Sequence, residues 1–304
     1  MIVSTFISIV SFVSTILFVI FSENIIPETK ASLIFFFNNV FPVIFPVYVL
    51  SSFALSSNLP EILSRPLNKI FSKIFKLPSC ALIAIIIGLL SGYPTGAKVS
   101  SDMKNSGYLT EKEAAILCAF TNNIGPAFAI IIIGKRYLNN AWDGFKLWLA
   151  LVSSSLICGL IICRLVNRCF CSDKISVTPI LRNKINLNGA LVNGLNTSLF
   201  VGAVIIFFSS ITSTIRLLPF INDLNESILH SLFELTGGLK KLNRFLYSKY
   251  TKRIVLCLLC GWAGTSSHIQ VCGIMKTNNI ECKYYIILKF IQPILSCILL
   301  CLFI

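Results

Sequence analysis

Polar, aromatic and helix-breaking residues interrupt an otherwise apolar stretch from Gly88 to Lys98, which reads G-L-L-S-G-Y-P-T-G-A-K. The residues with chemical or conformational potential are Ser91, Gly92, Tyr93, Pro94, Thr95, Gly96 and Lys98. Proline lacks an amide donor and glycine disfavours helix, so a membrane helix must loosen here. Backbone groups freed inside a bilayer need internal partners, which makes such a break typical of a carrier's substrate site. The sequence therefore predicts a binding site at this break.

Several of these residues have a structural as well as a functional interpretation. Lys98 either contacts an anion beside a half-helix N-terminus or extends its ammonium to the membrane interface. Asn122 and Asn123, which lie next to a Gly-Pro pair, either contact substrate or an ion, or join neighbouring helices. Tyr93 is a candidate for a stacking wall, a gate or a packing residue. We include all four in the predicted substrate site.

A second interruption lies in the second half of the chain, where Cys260 to Ser267 reads C-G-W-A-G-T-S-S. At an offset of 169 residues it aligns with S-G-Y-P-T-G-A-K, so that Trp262 matches Tyr93. A Gln-Pro pair in the next span corresponds to the Asn-Asn and Pro of the first half. The alignment adds five residues to the predicted substrate site: Gly261, Trp262, Ser266, Ser267 and Gln292.

Glu234 and Thr236 belong to a short apolar segment, Ser227 to Gly238, that is too short to span a membrane. A carboxylate inside the membrane is a functional candidate, either for proton coupling or for polar contact, whereas at the surface it is merely solvated. Both residues enter the predicted substrate site. His268 is either a hydrogen-bonded structural residue or a proton relay.

Membrane-spanning helices must position all of these residues. The chain is 55% hydrophobic and only 12% charged, far below the charged fraction of about a quarter in soluble proteins. Its apolar stretches approach the roughly 20 residues of a spanning helix. They lie at 1–21, 31–55, 79–97, 114–134, 145–163, 189–215, 254–275 and 284–304. The first lacks a basic start and a cleavage site, so we expect a retained helix.

The net charge of +14 lies mainly in loops around Arg65, Arg164 and Lys240. Basic loops beside membrane spans favour contact with anionic lipid, and we expect no nucleic-acid partner. Three hydrophobic segments separate the Arg65 loop from the Arg164 loop, which would place these loops on opposite faces. Either one segment is re-entrant or the charge rule fails at one loop, so the orientation stays open.

Most of the twelve cysteines lie in apolar spans, where cysteine behaves as a small hydrophobe. The Cys257-x-x-Cys260 and Cys169-x-Cys171 pairs have no histidine partners nearby. We therefore expect no disulfide framework, no metal site and no organic cofactor.

The sequence predicts one transmembrane transporter domain over 1–304, all α-helical and polytopic, built from two structural repeats. Repeat one covers about 1–134, a connecting helix about 144–163, and repeat two about 189–304. Each repeat is expected to contain a spanning helix, a re-entrant hairpin, a broken helix and another helix. The hairpins are predicted at Phe41 to Pro46, where two prolines make a straight helix improbable, and at Ser227 to Gly238.

The chain resembles the sporulation integral membrane proteins of the nucleoside-recognition, or Gate, domain group, which includes a dipicolinate transporter of spore-forming bacteria. Four motifs carry the resemblance: S-G-Y-P-x-G-A-K at 91–98, G-Y-L-T-E-K-E-A at 107–114, F-T-N-N-x-G-P at 120–126 and F-E-L-T-G-G at 233–238. The resemblance implies a fold like that of concentrative nucleoside transporters. It also implies transport of dipicolinic acid toward the forespore, across the mother-cell-derived bacterial membrane around it.

Three functions compete. The first is a carrier of dipicolinate, a small aromatic dicarboxylate anion, for which Lys98 would be the cation. The second is a carrier of a nucleoside or another small polar metabolite, which would depend more on the amides and on Glu234. The third is a structural or assembly protein of sporulation membranes, which needs no cavity. No enzyme motif such as H-E-x-x-H or G-x-S-x-G occurs, so we expect no catalysis. The coupling ion and a homo-oligomeric state stay open.

Overall fold

A computed structural model describes residues 12–57, 59, 62, 71–166, 187–215, 222–245 and 247–303. This part of the chain is built from helices and turns without a strand, and five of its helices are long and apolar enough to cross a membrane. The prediction of an all-helical polytopic protein is therefore confirmed for these residues. Several predicted features lie outside them: residues 1–11 of the first span, Arg65 and Lys69 of the first basic loop, the basic residues 168–184, and the Cys169-x-Cys171 pair.

The first half of the described chain begins with a helical stretch at 12–20. The elements that follow are α1 (Ser22–Phe35), a π-helical turn (Phe36–Val40), α2 (Phe41–Ser56), a 3-10 turn (Ser79–Ala81), α3 (Leu82–Ser91), α4 (Thr95–Asn105), α5 (Glu111–Thr121), a long π-helix (Phe128–Tyr137) and α6 (Ala141–Val166).

The second half begins with another long helix. Its elements are α7 (Leu187–Ile215), α8 (Asp223–Phe233), α9 (Leu235–Leu242), α10 (Lys249–Trp262), α11 (Thr265–Thr277) and α12 (Lys283–Phe303). The predicted connecting helix corresponds to α6, which packs along α12 and does not stand apart between two halves.

The hairpin predicted at Phe41 to Pro46 is wrong. Helices α1 and α2 and the π-helical turn between them form one continuous segment, Ser22–Ser56, of 35 residues. The first of the two prolines lies in the first turn of α2, where its missing amide donor costs little. The second, Pro46, lies inside the helix. A proline in a helix removes one hydrogen bond and kinks the axis, but it does not by itself reverse the chain.

A chain reversal instead joins α3 to α4, where the sequence predicted a broken spanning helix. The reversal occurs at Gly92 to Pro94, with Gly92 at φ +91° and a cis peptide bond before Pro94. A Cβ atom added at Gly88 would lie 3.0 Å from the Cα of Gly96, so α4 begins by folding back against the end of α3. We call α3 and α4 the first hairpin. Each arm is only about 15 Å long, half the thickness of the hydrocarbon core.

A second hairpin joins α8 to α9 at Glu234. Its arms are held by an ion pair between Lys241 Nζ and Glu226 Oε1 at 2.7 Å. Gly238 packs directly on Ser231, because no side chain fits between the arms. The chain thus turns within the predicted Ser227 to Gly238 segment. Whether this hairpin re-enters the membrane stays a prediction.

Two further helices are interrupted without reversing. Helix α5 leads through the extended residues Asn122–Gly125 into the π-helix, and α10 leads through Ala263 and Gly264, at φ +77° and +84°, into α11. Helices α10 and α11 do not pack back on each other. The predicted match of Tyr93 with Trp262 therefore pairs a hairpin tip with a bend in a helix, and these two positions are not equivalent in the structure.

In chain order, we call Gly92–Pro94, Asn122–Gly125, Glu234 and Ala263–Gly264 the first, second, third and fourth breaks. The first and third are hairpin tips, and the second and fourth are interruptions in helices. Around them, α6 and α12 pack against each other and against α5 and α10. Helices α1 and α2 pack on α7, and this group contacts the rest through α2 with α4 and through α7 with α11.

The close approach of the first hairpin to α5 generates a testable prediction. A Cβ atom added at Gly96 would lie 2.5 Å from both the carbonyl oxygen and the Oγ1 of Thr121. We expect Gly96→Val to lower the free energy of unfolding by about 3 kcal/mol, because overpacking at a backbone contact cannot relax by side-chain rotation. SDS-induced unfolding of the purified protein would measure this loss.

The control for this prediction is Ile86→Val on α3, since the Ile86 side chain is 41% exposed. Its unfolding transition should stay within about 0.5 kcal/mol of the wild type. Equal stability of the Gly96→Val and Ile86→Val proteins would contradict the packing of the first hairpin on α5.

Candidate functional site

Three of the four breaks border one cavity of about 400 Å³, which we call the central cavity, and the start of α11, which directly follows the fourth break, also lines it. This volume falls in the range of roughly 300–1,000 Å³ that is usual for small-molecule sites. The residues that the breaks and their flanks contribute to its lining are Ser91, Gly92, Tyr93, Ile124, Gly125, Glu234, Leu235, Thr236, Ser266, Ser267 and Gln270. The cavity is therefore formed where helices are interrupted, and it presents hydroxyls, an amide, a carboxylate and an aromatic ring.

The outer wall of the central cavity comes from the α1–α2 segment and α7. Asn38 and Asn39, in the π-helical turn, line the cavity and are exposed. A neighbouring cavity of about 760 Å³ shares Phe35, Phe128, Ile132 and Thr236 with the central one. It is lined by charges of both signs: Glu28, Arg136, Asp223, Glu226, Lys241 and Arg244. The two cavities are therefore adjacent, and the charged one borders the central one.

The first and second breaks satisfy each other's backbone groups. The amide of Tyr93 donates to the carbonyl oxygen of Asn123 at 2.8 Å. The side-chain oxygen of Asn122 accepts from the amide of Ala97, in the first turn of α4, at 3.0 Å. Asn122 is fully buried and thus caps a helix that is remote in sequence. This places Asn122 in a structural role.

The third and fourth breaks are joined in a similar way. The carbonyl oxygen of Leu232, at the end of α8, accepts from Trp262 Nε1 at 3.1 Å and from Thr265 Oγ1 at 3.2 Å. Gly264 lies against the backbone at the hairpin tip, where a Cβ atom would come 3.2 Å from the Leu235 nitrogen. Each hairpin tip therefore rests on one interrupted helix.

Glu234 caps the helix that it precedes. Its Oε1 accepts from the Thr236 amide at 3.0 Å and from Thr236 Oγ1 at 2.6 Å, and its Oε2 accepts from the Gly237 amide at 2.7 Å. The carboxylate also lies at the positive end of the α9 dipole, which offsets part of its charge. Glu234 is 3% exposed, so it is a buried carboxylate with its oxygens already occupied.

A buried lysine lies behind the second break. Lys289, on α12, is 1% exposed, and its Nζ donates to Gln292 Oε1 at 2.9 Å and to Asn123 Oδ1 at 3.4 Å. Gln292 Nε2 donates to the same oxygen of Asn123, whose Nδ2 donates to Ser155 Oγ at 2.9 Å. We call Asn123, Ser155, Lys289 and Gln292 the lysine network. It joins the second break to α6 and α12.

No carboxylate of the described residues forms an ion pair with Lys289. Its neighbours are aromatic, with Nζ 5.9 Å from the ring centroids of both Tyr93 and Tyr285. The Tyr285 hydroxyl is in turn 2.9 Å from His268 Nδ1. Tyr93 also lines the central cavity and therefore contacts both the cavity and the surroundings of the ammonium.

The structure brings seven of the predicted site residues to the central cavity: Ser91, Gly92, Tyr93, Glu234, Thr236, Ser266 and Ser267. Asn123 and Gln292 lie behind it in the lysine network. The remaining seven do not line it: Pro94, Thr95, Gly96, Lys98, Asn122, Gly261 and Trp262. Gly261 packs on Pro293, and Lys98 pairs with Asp102 at 2.6 Å. In this structure Lys98 therefore neutralises a neighbouring carboxylate.

Sequence reasoning missed Lys289, Gln270 and the two asparagines of the π-helical turn. A signal existed for Lys289, because it is a cation within an apolar span and lies one helical turn before Gln292. The two asparagines of the π-helical turn gave no such signal. A polar residue near a helix bend can face a cavity, another helix or the surface, and the sequence does not distinguish these positions.

The lysine network generates a prediction about the coupling of distant helices. Asn123→Ala and Gln292→Ala should each destabilise the protein by about 1–3 kcal/mol, because each leaves a buried partner unsatisfied. The double variant should be less destabilised than the sum of the two, with a coupling energy of at least about 0.5 kcal/mol. SDS-induced unfolding of all four proteins completes the cycle.

Asn123→Ala combined with Gln270→Ala provides the matched control, since no hydrogen bond joins those two side chains in the described structure. That pair should be additive. If the losses of unfolding free energy in the Asn123 and Gln292 variants were additive, the lysine network would not be a stabilising contact.

Comparison with known proteins agrees with the resemblance stated from the motifs. Residues 37–140 match a family model, Gate, described as nucleoside recognition. The chain is 23% identical, over 306 aligned positions, to a Bacillus subtilis (strain 168) protein named sporulation integral membrane protein YlbJ. The alignment covers 89% of this chain and 75% of the relative. No solved structure matches the chain.

The matched region contains the first hairpin, the second break and the π-helix, so it supplies more than half of the lining residues of the central cavity. The apolar spans of the structure and the membrane protein among its relatives agree on location. The chain is an integral membrane protein that carries a nucleoside recognition (Gate) domain match over residues 37–140.

Proposed function

We propose that the protein is a membrane carrier for a small polar metabolite and that the central cavity is its cargo site. One observation carries the proposal: two hairpin tips and two interrupted helices border the same cavity. In membrane carriers, interrupted helices expose backbone donors and acceptors to substrate near the middle of the bilayer. The hairpin arms of about 15 Å would bring their tips to that depth.

The order of the elements supports a two-repeat organisation. A long helix, a hairpin, an interrupted helix and a further long helix occur twice, from α1 to α6 and from α7 to α12. This division assigns α6 to the first repeat and matches the first hairpin with the second. Two such repeats would move against each other around the cavity, which is the usual basis of alternating access.

For the cargo, we propose dipicolinate or a closely related aromatic dicarboxylate. Tyr93 lines the cavity with an aromatic side chain, and the Nζ of the buried Lys289 lies 5.9 Å from the centroid of its ring. Lys289 thereby replaces Lys98 as the proposed source of positive potential. The name of the Bacillus subtilis relative supports a role in sporulation, which would place the carrier in a membrane around the forespore.

A second candidate cargo is a nucleoside or another neutral polar metabolite. The observation that favours it is Glu234, which is the one carboxylate among the described lining residues of the central cavity and would repel an anion. Hydroxyls of Thr236, Ser266 and Ser267 could bond a sugar. The capping bonds of Glu234 reduce this repulsion, and for that reason we rank the dicarboxylate first.

Filling the cavity tests the carrier proposal against a purely structural role. Ser267 lines the cavity at 7% exposure, whereas Ile269 on the same helix is 43% exposed. We expect Ser267→Phe to reduce uptake of labelled dipicolinate into proteoliposomes at least about tenfold, because the ring occupies cargo volume. Ile269→Phe should transport like the wild type.

Insertion and thermal unfolding of both variants would be compared first. Wild-type uptake of neither dipicolinate nor uridine would overturn the carrier proposal and favour an assembly role. Full transport by a folded Ser267→Phe protein would exclude the central cavity as the route.

A pair of charge variants distinguishes the two cargoes. We expect Lys289→Met to raise the dissociation constant of dipicolinate at least about tenfold, a loss of about 1.4 kcal/mol. Uridine binding should change little, because a neutral ligand gains little from a distant cation. Equilibrium binding to purified protein measures both, with Lys283→Met as the control, since Lys283 is 56% exposed on the same helix. If Glu234→Gln lost uridine binding but kept dipicolinate binding, a nucleoside would be favoured as the cargo.

A further inference from the structure

Lys289 is the group whose burial the cavity alone does not explain. It lies within an apolar spanning helix, is 1% exposed, and has no carboxylate partner in the described structure. We propose that Lys289 is the proton-binding site of the carrier and that the protein transports its anionic cargo together with a proton. The inference rests on the proposed function and adds the coupling ion to it.

The partners of the ammonium are neutral. Lys289 Nζ donates to two amide oxygens, on Gln292 and Asn123, which supply partial charges but no net negative charge. An ionised group inside a membrane protein is costly without a counter-charge, and such groups commonly mark ion or proton pathways. Two events would relieve the cost at Lys289: release of its proton, or arrival of an anion in the adjacent cavity.

Within the described part of the chain, the groups around Lys289 offer no permanent negative charge. The first hairpin contributes Tyr93, the second break contributes Asn123, and α6 contributes Ser155 and Cys158. On the side of α12 and its other neighbours, the titratable groups are Tyr285, Cys257, Cys260 and, through the Tyr285 hydroxyl, His268. All of these are neutral in their usual states near pH 7, apart from partial protonation of histidine.

The position of Tyr93 links the proton to the cargo. Tyr93 lines the central cavity and its ring centroid lies 5.9 Å from Lys289 Nζ, so an anion bound beside Tyr93 feels the charge on the lysine. An anion in the cavity therefore favours the protonated lysine. By thermodynamic reciprocity, a proton on Lys289 favours anion binding by the same factor. Proton and anion would bind together, cross together and leave together, without a requirement for Na⁺.

The contact set also spans the two proposed repeats. Asn123 belongs to the first and Lys289 and Gln292 to the second, so movement of one repeat against the other changes the surroundings of the ammonium. A site at this junction is placed to exchange its proton with either side in turn, as alternating access requires.

The test uses the full chain in proteoliposomes, with labelled dipicolinate as the probe and the membrane potential clamped by K⁺ and valinomycin. Exchange at equal pH is measured first and tests the proposed function alone. Net uptake is then driven by an outside-acid pH difference of one unit or by an inward Na⁺ gradient. One proton per anion predicts about tenfold accumulation for the pH difference and none for the Na⁺ gradient.

Two variants assign the proton to Lys289. Lys289→Arg keeps a permanent positive charge, so we expect exchange to persist while the pH difference no longer drives accumulation. Lys289→Met should show weak exchange at high dipicolinate and no pH-driven accumulation. Lys283→Met, on the exposed part of the same helix, should behave as the wild type.

The possible outcomes separate the two proposals. If the wild type shows exchange but its accumulation is driven by the Na⁺ gradient or by neither gradient, proton coupling is overturned. The carrier proposal is then unaffected. Accumulation driven by the pH difference in both Lys289 variants overturns Lys289 as the site. Absence of dipicolinate exchange in the wild type overturns dipicolinate as the cargo, and the coupling proposal with it. Absence of uridine exchange as well overturns the carrier proposal.

Discussion

The structure depends on the satisfaction of backbone groups at four helix breaks. The bilayer core contains no water that could serve as a hydrogen-bond partner. An unsatisfied backbone donor or acceptor there therefore costs several kcal/mol. Here the breaks provide partners for each other in pairs: Asn122 and Asn123 bond the start of the first hairpin's second arm, and Trp262 and Thr265 bond the end of α8. Each break of a pair therefore depends on the other break for these hydrogen-bond partners.

This pairing fixes where polar side chains collect. Since each hairpin tip lies against an interrupted helix, the breaks converge, and the hydroxyl, amide and carboxylate groups of the breaks and of the adjoining start of α11 border one cavity. The glycines at the contacts, Gly88 and Gly96 against Thr121 and Gly264 against Leu235, permit the close approach that the bonds require. The lysine network lies directly behind the cavity and joins the same break to the two long helices. The polar groups that hold the breaks together therefore lie beside the polar groups that border the cavity.

The sequence predicted the class of the fold and much of the cavity, because apolar length and helix-breaking residues are local signals. It located the breaks at Gly92 and Gly264 and the turn near Glu234, but it predicted an uninterrupted apolar span over 114–134, where the second break lies. It failed where geometry was decisive. The two prolines at Phe41 to Pro46 predict a reversal, whereas the helix continues, and the residues at Gly92 predict a broken spanning helix, whereas the chain turns back. Residue types show that a helix is interrupted, but packing decides whether the chain turns back.

The same limitation explains the two lysines. Lys98 follows the conspicuous break and was selected, yet Asp102 four residues later pairs with it. Lys289 follows an unremarkable apolar run, and only tertiary contacts bring it behind Tyr93. A lysine one turn from a carboxylate has a local partner, whereas a lysine in a span without carboxylates must find its partner in the fold or in a ligand.

The central claim is that cargo occupies the cavity where the breaks meet, and thiol labelling tests it most directly. Ser267→Cys and Ile269→Cys would be made in a protein whose native cysteines are replaced, and treated in membrane vesicles with a water-soluble maleimide. The account predicts that Cys at position 267 reacts and is protected by saturating dipicolinate, whereas position 269, which faces outward, is not protected. Reaction at position 267 that neither dipicolinate nor uridine slows would contradict the account.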